Sequence, residues 1–276
     1  MCLILFAHQL RADLPLVLLA NRDEYLDRPT APLACWAAVP GVVGGCDLVA
    51  GGSWLGVGVD GRWAAVTNVR EGESSSPGAP SRGWLVRDYL QGRETPAAFI
   101  ARLAPQMAAY AGFNLLLGNC TEIWYVSNRE PGPVRLNPGL YGLSNGRLDT
   151  PWPKVTRGKA ALRALLGKPS AAVEQCMRLL ADRETFADHH LPATGISLEW
   201  ERALSATFIT APERGYGTRS ATVLWRAANG EALVVERSFT GSPERWSQRS
   251  HRWLTTDTFA PDSKAKKTCS AADKIG

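Results

Sequence analysis

MCLILFAHQLRADLPLVLLANRDEY (residues 1–25) holds two short apolar runs, LILFAH and LVLLAN, separated by the turn-like QLRADLP. This pattern predicts two strands of a sheet buried on both faces. A thiol, Cys2, heads the first run, and four consecutive polar residues, Asn21, Arg22, Asp23 and Glu24, end the second. If the two strands form a hairpin, those four residues return to the neighbourhood of Cys2.

Stronger hairpin signals follow. SWLGVGV and RWAAVTNV flank Asp60-Gly61, and SATVLWRAA and EALVVERSF flank Asn229-Gly230. Both dipeptides suit the positive dihedrals of a two-residue hairpin turn. GFNLLLGN and EIWYVSN make a third pair around Cys120-Thr121. Helices interrupt the strands in blocks: SRGWLVRDYLQG with Ser81 as cap and Gly92 as stop, a second starting at Thr95-Pro96, then KVTRGKAALRALLG and SAAVEQCMRLLADR. Antiparallel strands alternating with helix pairs predict an α+β fold rather than a doubly wound parallel sheet.

The 276 residues are 45% hydrophobic and 21% charged, enough for a sizeable core and ordinary for a globular chain. One domain is expected over residues 1–261, with a disordered tail over residues 262–276 that carries SKAKK and small polar residues. A loop is expected at residues 74–80. The formal charge of +5 comes from scattered arginines and gives no nucleic-acid stripe; it fits small anionic ligands better. The six cysteines show neither CxxC nor metal-ligand spacing, so no metal site is expected and the thiols read as reduced. No basic leader precedes the first apolar run, and no stretch is long enough to cross a bilayer. A cytoplasmic protein without membrane insertion is the expectation, with oligomeric state open.

Two motifs are set aside. GVGVDG (residues 56–61) has the spacing of a dinucleotide fingerprint, but a strand follows it instead of a helix. GLSNG (residues 142–146) has the form of a nucleophile elbow around Ser144, but RLDTPWP intervenes before any helix. The adjacent His189 and His190 read as exposed residues near a helix end.

The chemistry centres on Cys2. Removal of Met1 leaves this residue with a thiol and a free α-amine that titrates near pH 8. Such a residue contains its own base for attack on a carbonyl. Arg22 would lower the thiol pKa and Asp23 would hold the α-ammonium. Asn68 and Asn145 each end an apolar strand, where an amide can donate to a developing oxyanion. Arg219 begins a strand after a glycine-rich approach and suits a substrate carboxylate or the thiolate. Asn21, Arg22 and Glu24 are candidates for binding substrate. His8, further along the strand of Cys2, is a candidate for the same site and reads equally as a core histidine.

MCLILF, LLANRDEYLDRPT, GGSWLGV, AAVTN, GFNLLLGN, YGLSN with DTPWPK, GYGTRSATVL and VVERSF occur in the order and spacing of the NRDE family, the transport and Golgi organisation protein 2-like proteins. The chain resembles that family over nearly its whole length up to the tail. The family in turn resembles the N-terminal-nucleophile (Ntn) hydrolases, which implies a four-layer αββα sandwich with Cys2 on a central strand. The resemblance implies Cys2 as nucleophile, Asp23 as the acid contacting its amine, Asn68 and Asn145 on the oxyanion side, and Arg219 beside the nucleophile. One departure is clear: the hydrolases carry an arginine ahead of the motif where this chain has an apolar residue, and Arg22 falls elsewhere.

Two functions follow as expectations. One is a cysteine hydrolase of a linear amide or acyl bond that requires no cofactor. The other is a binding and trafficking protein for a small amphipathic anionic ligand, haem or acyl-CoA being what the resemblance implies. The chain has no CxxCH or cysteine-proline haem motif, so His8 or Cys2 is the candidate for weak haem contact.

Overall fold

The opening runs pair as a hairpin. β1 (Cys2–His8) and β2 (Leu16–Tyr25) lie antiparallel, with Cys2 opposite Arg22 and His8 opposite Leu16. The structure is a computed structural model and describes residues 2–72, 78–168, 172–255 and 270–275. The loop expected at residues 74–80 lies mostly outside these residues, as does Met1.

The chain next lays down β3 (Thr30–Cys35), β4 (Val42–Asp47), β5 (Leu55–Gly58) and β6 (Trp63–Asn68). The helices α1 (Gly83–Gln91) and α2 (Pro96–Leu103) follow, then β7 (Phe113–Gly118), β8 (Ile123–Ser127) and β9 (Val134–Arg135). Strands β3 to β9 form one seven-stranded antiparallel sheet in chain order. The chain then returns through β10 (Gly139–Leu143), α3 (Pro153–Leu166), α4 (Val173–Leu180), α5 (Leu198–Ala203), β11 (Thr210–Ala211), β12 (Tyr216–Arg226), β13 (Glu231–Phe239), β14 (Trp246–Leu254) and β15 (Ser270–Ile275). These join the opening hairpin in a second sheet of order β10-β1-β2-β12-β13-β14-β15, with β11 paired to β12. The result is a mixed α/β protein built on two antiparallel sheets.

Period-two alternation sorts the side chains. Ile4, Phe6 and Leu18 pack against Trp63, Leu116 and Tyr125 of the other sheet. Leu3, Leu5 and Leu19 face the opposite way, onto Leu162 of α3 and Met177 and Leu180 of α4. The outer face of the meander sheet, Leu115 and Leu117, is covered by Leu85 and Tyr89 of α1 and Phe99 and Ile100 of α2. Each such buried side chain contributes about 1.5–3 kcal/mol. Close approach of α3 explains a glycine in a helix interior: a Cβ at Gly158 would stand 2.6 Å from Leu5 Cδ1.

Four expectations need correction. The Asp60-Gly61 and Asn229-Gly230 hairpins form, but only Gly61 and Gly230 take positive φ, +83° and +86°. Gly230 N donates to Ala227 O, and Ala227 N to Glu231 O, so the asparagine closes an ordinary turn and the glycine is the left-handed residue of a bulge. Cys35 is disulfide-bonded where a reduced thiol was expected; the cysteine spacing carries no signature of it. In the tail expected to be disordered, Ser270–Ile275 forms β15 against β14. An edge strand supplies backbone donors and acceptors to any extended partner, so apolar side chains are not required for pairing. Thr95 caps α2 as expected, accepting from Ala98 N, whereas the cap of α1 is Arg82, and Ser81 Oγ accepts from Gly83 N. Among the described residues, no helix is long and apolar enough to cross a membrane.

Candidate functional site

Cys2 occupies the end of β1 and by alternation shares the inter-sheet face with Ile4 and Phe6. Arg22 is directly opposite and faces the same side: its guanidinium lies 4.2 Å over the ring of Trp54, and Nη1 donates to Thr30 Oγ1 at 2.8 Å. Carboxylates of Asp47 and Glu24 stand 3.9 Å and 4.0 Å from Arg22 Nη2. A stacked, nearly dry guanidinium is a fixed positive charge beside the thiol.

Burial pushes the Cys2 thiol above its ordinary value and the Asp23 charge adds to this, while Arg22 and the Asp23 backbone N–H act in the opposite direction. Cys2 therefore rests as a thiol at neutral pH, and any attack by sulfur requires a base.

Asp23 is one residue along β2 and so belongs to the opposite face, under the helices. Its carboxylate is 1% exposed; Thr218 Oγ1 donates to Oδ1 at 2.7 Å, and the Tyr216 hydroxyl donates to its backbone carbonyl at 2.9 Å. Burial raises its pKa, and the positive charges of Lys154 and Arg70 oppose the rise. Arg70 pairs with the buried Glu201 and lies 4.7 Å over the Trp152 ring. Lys154, in the first turn of α3, is 2% exposed and donates to the Leu204 carbonyl at 2.9 Å. Burial pushes its pKa down to about 8.

Asn68 and Asn145 come together across the two sheets. Asn145 Nδ2 donates to the Asn68 carbonyl at 2.8 Å, and Arg70 N donates to the Asn145 carbonyl at 2.7 Å. The adjacent Ser144 Oγ donates to the Cys2 carbonyl at 3.1 Å, which puts this corner against the start of β1.

Other candidates sit apart. Asn21 is buried under the helices, with Nδ2 donating to the Leu180 and Thr207 carbonyls at 2.9 and 2.8 Å. His8 lies six positions along β1, about 20 Å from Cys2 at strand rise. Burial and the charges of Arg226 and Arg135 depress its pKa. Arg219 is the extra residue of a bulge between Thr218 and Ser220, and its Nη1 donates to the Tyr25 and Arg28 carbonyls at 2.8 and 3.0 Å. It anchors the turn after β2. Glu24 faces Arg28 at 3.9 Å as well as Arg22.

The sequence reading missed Lys154, Arg70, Glu201, Tyr216 and Arg82. The Arg82 guanidinium reaches the site from the start of α1, where it faces the charges of Glu24 and Cys2 and donates to the Gly112 carbonyl at 3.1 Å. The one available signal was Lys154 inside DTPWPK, directly after a proline at a helix start. Among the described residues, no three His, Cys, Asp or Glu side chains are grouped to hold a metal ion.

Residues 1–241 match the family described as Transport and Golgi organisation 2. The chain belongs to this family. A Transport and Golgi organization protein 2 homolog of Bos taurus is 33% identical over 277 residues, covering 92% of this chain and 99% of the relative. The Homo sapiens homolog is 30% identical over 273 residues with the same shares, and the Drosophila melanogaster protein 28% identical over 266 residues, covering 87% of this chain and 93% of the relative. A Caenorhabditis elegans N-acylethanolamine-hydrolyzing acid amidase ortholog superposes with a TM-score of 0.48 at 11% identity, covering 81% of this chain and 92% of that one. That likeness is too distant to bear on the chemistry. The segment that carries the Transport and Golgi organisation 2 match contains Cys2, Asp23, Asn68, Asn145, Lys154 and Arg219.

Proposed function

We propose that this chain is a cysteine hydrolase of the Ntn type, a four-layer αββα sandwich that cleaves a linear amide or related acyl bond. The supporting observation is the register of β1 on β2, which sets Cys2 opposite Arg22, one position along β2 from the buried Asp23. After removal of Met1, the α-amine of Cys2 takes the thiol proton as sulfur attacks the acyl carbonyl. The C–S bond forms, the proton passes to the leaving nitrogen, and the C–N bond breaks. Water then cleaves the thioester, releasing the acid and restoring the thiol. Asp23 orients the ammonium, and Asn68 and Asn145 flank the oxyanion. The test is turnover of linear N-acyl amides and acyl thioesters by purified protein whose mass shows Met1 removed. Cys2→Ala must abolish the activity, and unchanged turnover in that variant sinks the mechanism.

A second reading is favoured by one observation: Asn145 spends one of its two Nδ2 hydrogens on the Asn68 carbonyl, which leaves at most one for an oxyanion. In that case the same corner, with Arg22 and Arg82, binds and carries a small amphipathic anion in the cytoplasm. Haem fits only with Cys2 as a lone axial donor, since His8 is about 20 Å away along the strand. Saturable binding of haem or an acyl-CoA by the Cys2→Ala variant, with no turnover by the parent, selects this reading.

A further inference from the structure

The ladder between β1 and β10 ends at the Ile4–Leu143 pair, short of Cys2. Beyond it, residues 144–146 are gripped by three successive carbonyls. Ser144 O accepts from Thr67 Oγ1 at 2.7 Å, Asn145 O from Arg70 N at 2.7 Å and Gly146 O from Asn114 Nδ2 at 2.8 Å. The gripping groups are fixed in turn: Asn114 Nδ2 also donates to Thr67 Oγ1 at 3.1 Å, and Tyr125 Oη donates to Asn114 Oδ1 at 2.8 Å. Thr67, Asn114, Tyr125, Ser144 and Asn145 are all buried, and a satisfied polar network in a low dielectric is rigid. This corner reaches the first residue of β1 through the Ser144 hydroxyl, which donates to the Cys2 carbonyl at 3.1 Å. A hydroxyl has one proton to give, and this acceptor is nearer than Asn145 Oδ1 at 3.4 Å.

We infer that Ser144 is a positioning residue for Cys2: its hydroxyl pins the Cys2 carbonyl to the corner formed by residues 144–146 and so fixes where the thiol stands relative to Asn68 and Asn145. It acts through the main chain of Cys2 and not on substrate. Strand β2 holds Cys2 from the other side, so loss of the pin loosens one edge of the strand end without unfolding it. Burial is the largest influence holding the thiol up, and a loosened end lets water reach it. An unpinned Cys2 is therefore more reactive at neutral pH and wrongly placed. The consequence for turnover rests on the hydrolase reading above, whereas the pinning does not.

The test uses the full chain. Alkylation of Cys2 by iodoacetamide is followed against pH with the modified site mapped by mass, and the buried Cys176, under the helices, reports opening of the whole fold. Arg22, Asp23, Arg82, Lys154 and Tyr216, whose charges face the thiol, are unchanged in every variant. Ser144→Ala removes the donor and is expected to lower the Cys2 midpoint by about half a pH unit, speeding alkylation about threefold below it while Cys176 stays as slow as in the parent. Ser144→Thr keeps a hydroxyl and the parental midpoint. An unmoved Cys2 midpoint in Ser144→Ala overturns the inference, as does a Ser144→Thr shift equal to that of Ser144→Ala. Cys176 accelerating in step with Cys2 marks a lost fold, and Ser144→Cys, which keeps the shape and offers only a weak donor, then decides by the same criteria. On a substrate that the parent hydrolyses, Ser144→Ala should lower kcat about tenfold at near-parental KM even as its thiol alkylates faster, and a parental kcat overturns the positioning role. The predicted alkylation shifts in a parent that hydrolyses nothing defeat the hydrolase reading and uphold the pin.

Discussion

The side chain of Asn145 is bonded to the backbone of Asn68: Nδ2 donates to the carbonyl at 2.8 Å and ties the end of β10 in one sheet to the end of β6 in the other. The acceptor is main chain, so the two asparagines are not equivalent. Asn145→Ala leaves a carbonyl unpaired and should lower unfolding free energy by about 1–3 kcal/mol in urea titration. Asn68→Ala keeps that carbonyl and should cost clearly less. Equal losses would mean that the Asn68 amide has a structural role of its own.

Under the proposed hydrolase reading, Cys2 matters for reactivity more than for the core. Cys2→Ser should stay within about 1 kcal/mol of the parent in stability, since it exchanges atoms of similar size at a strand end. If the chain is the hydrolase proposed above, Cys2→Ser should also remove all turnover. In the parent, burial and Asp23 hold the thiol up, so its alkylation midpoint should lie above that of the same residue in the urea-unfolded chain. A midpoint below the unfolded value would contradict a thiol resting protonated.

Asn21 was a candidate for substrate binding, yet its amide holds two carbonyls of the helical layer. Asn21→Ala should therefore destabilise by about 2–4 kcal/mol, read as a fall in the urea midpoint. A variant with parental stability and a raised KM would return Asn21 to the substrate.

Lys154 gives a signed pH dependence. Its folded pKa is about 8, below the ordinary 10.5, so between those values the unfolded chain holds a proton that the folded chain has released. The cost of the buried charge is present in full below pH 8 and is relieved as pH rises towards 10.5. The stability of the parent relative to Lys154→Met should rise by up to roughly 3 kcal/mol over that window. A flat difference would mean that the lysine titrates normally. Chemical denaturation at matched pH values measures it.

Much of this architecture was legible in order. Short apolar runs, Gly61 and Gly230 after polar turn residues, and Thr95-Pro96 at a helix start are local signals, and each produced the element it predicts. The hairpin of the first 25 residues was enough to bring Asn21 to Glu24 back to Cys2. Apart from the turn dihedrals and the cap of α1, the failures were non-local. The pairing of β15 and the bulge at Arg219 depend on partners distant along the chain, and the disulfide at Cys35 has no local signature.

For this protein, the sequence by itself determined the two opening strands, their pairing and the family, because hydrophobic period and turn chemistry act over a few residues. Alternation also required Arg22 and Asp23 to point to opposite faces of β2. Only the tertiary structure decided what each face meets: Trp54 and Thr30 for Arg22, Thr218 and the buried charges of Lys154, Arg70 and Glu201 for Asp23. Charges act through space in a low dielectric, and residues 23, 70, 154 and 201 become neighbours only when α3 and α5 close over the sheet.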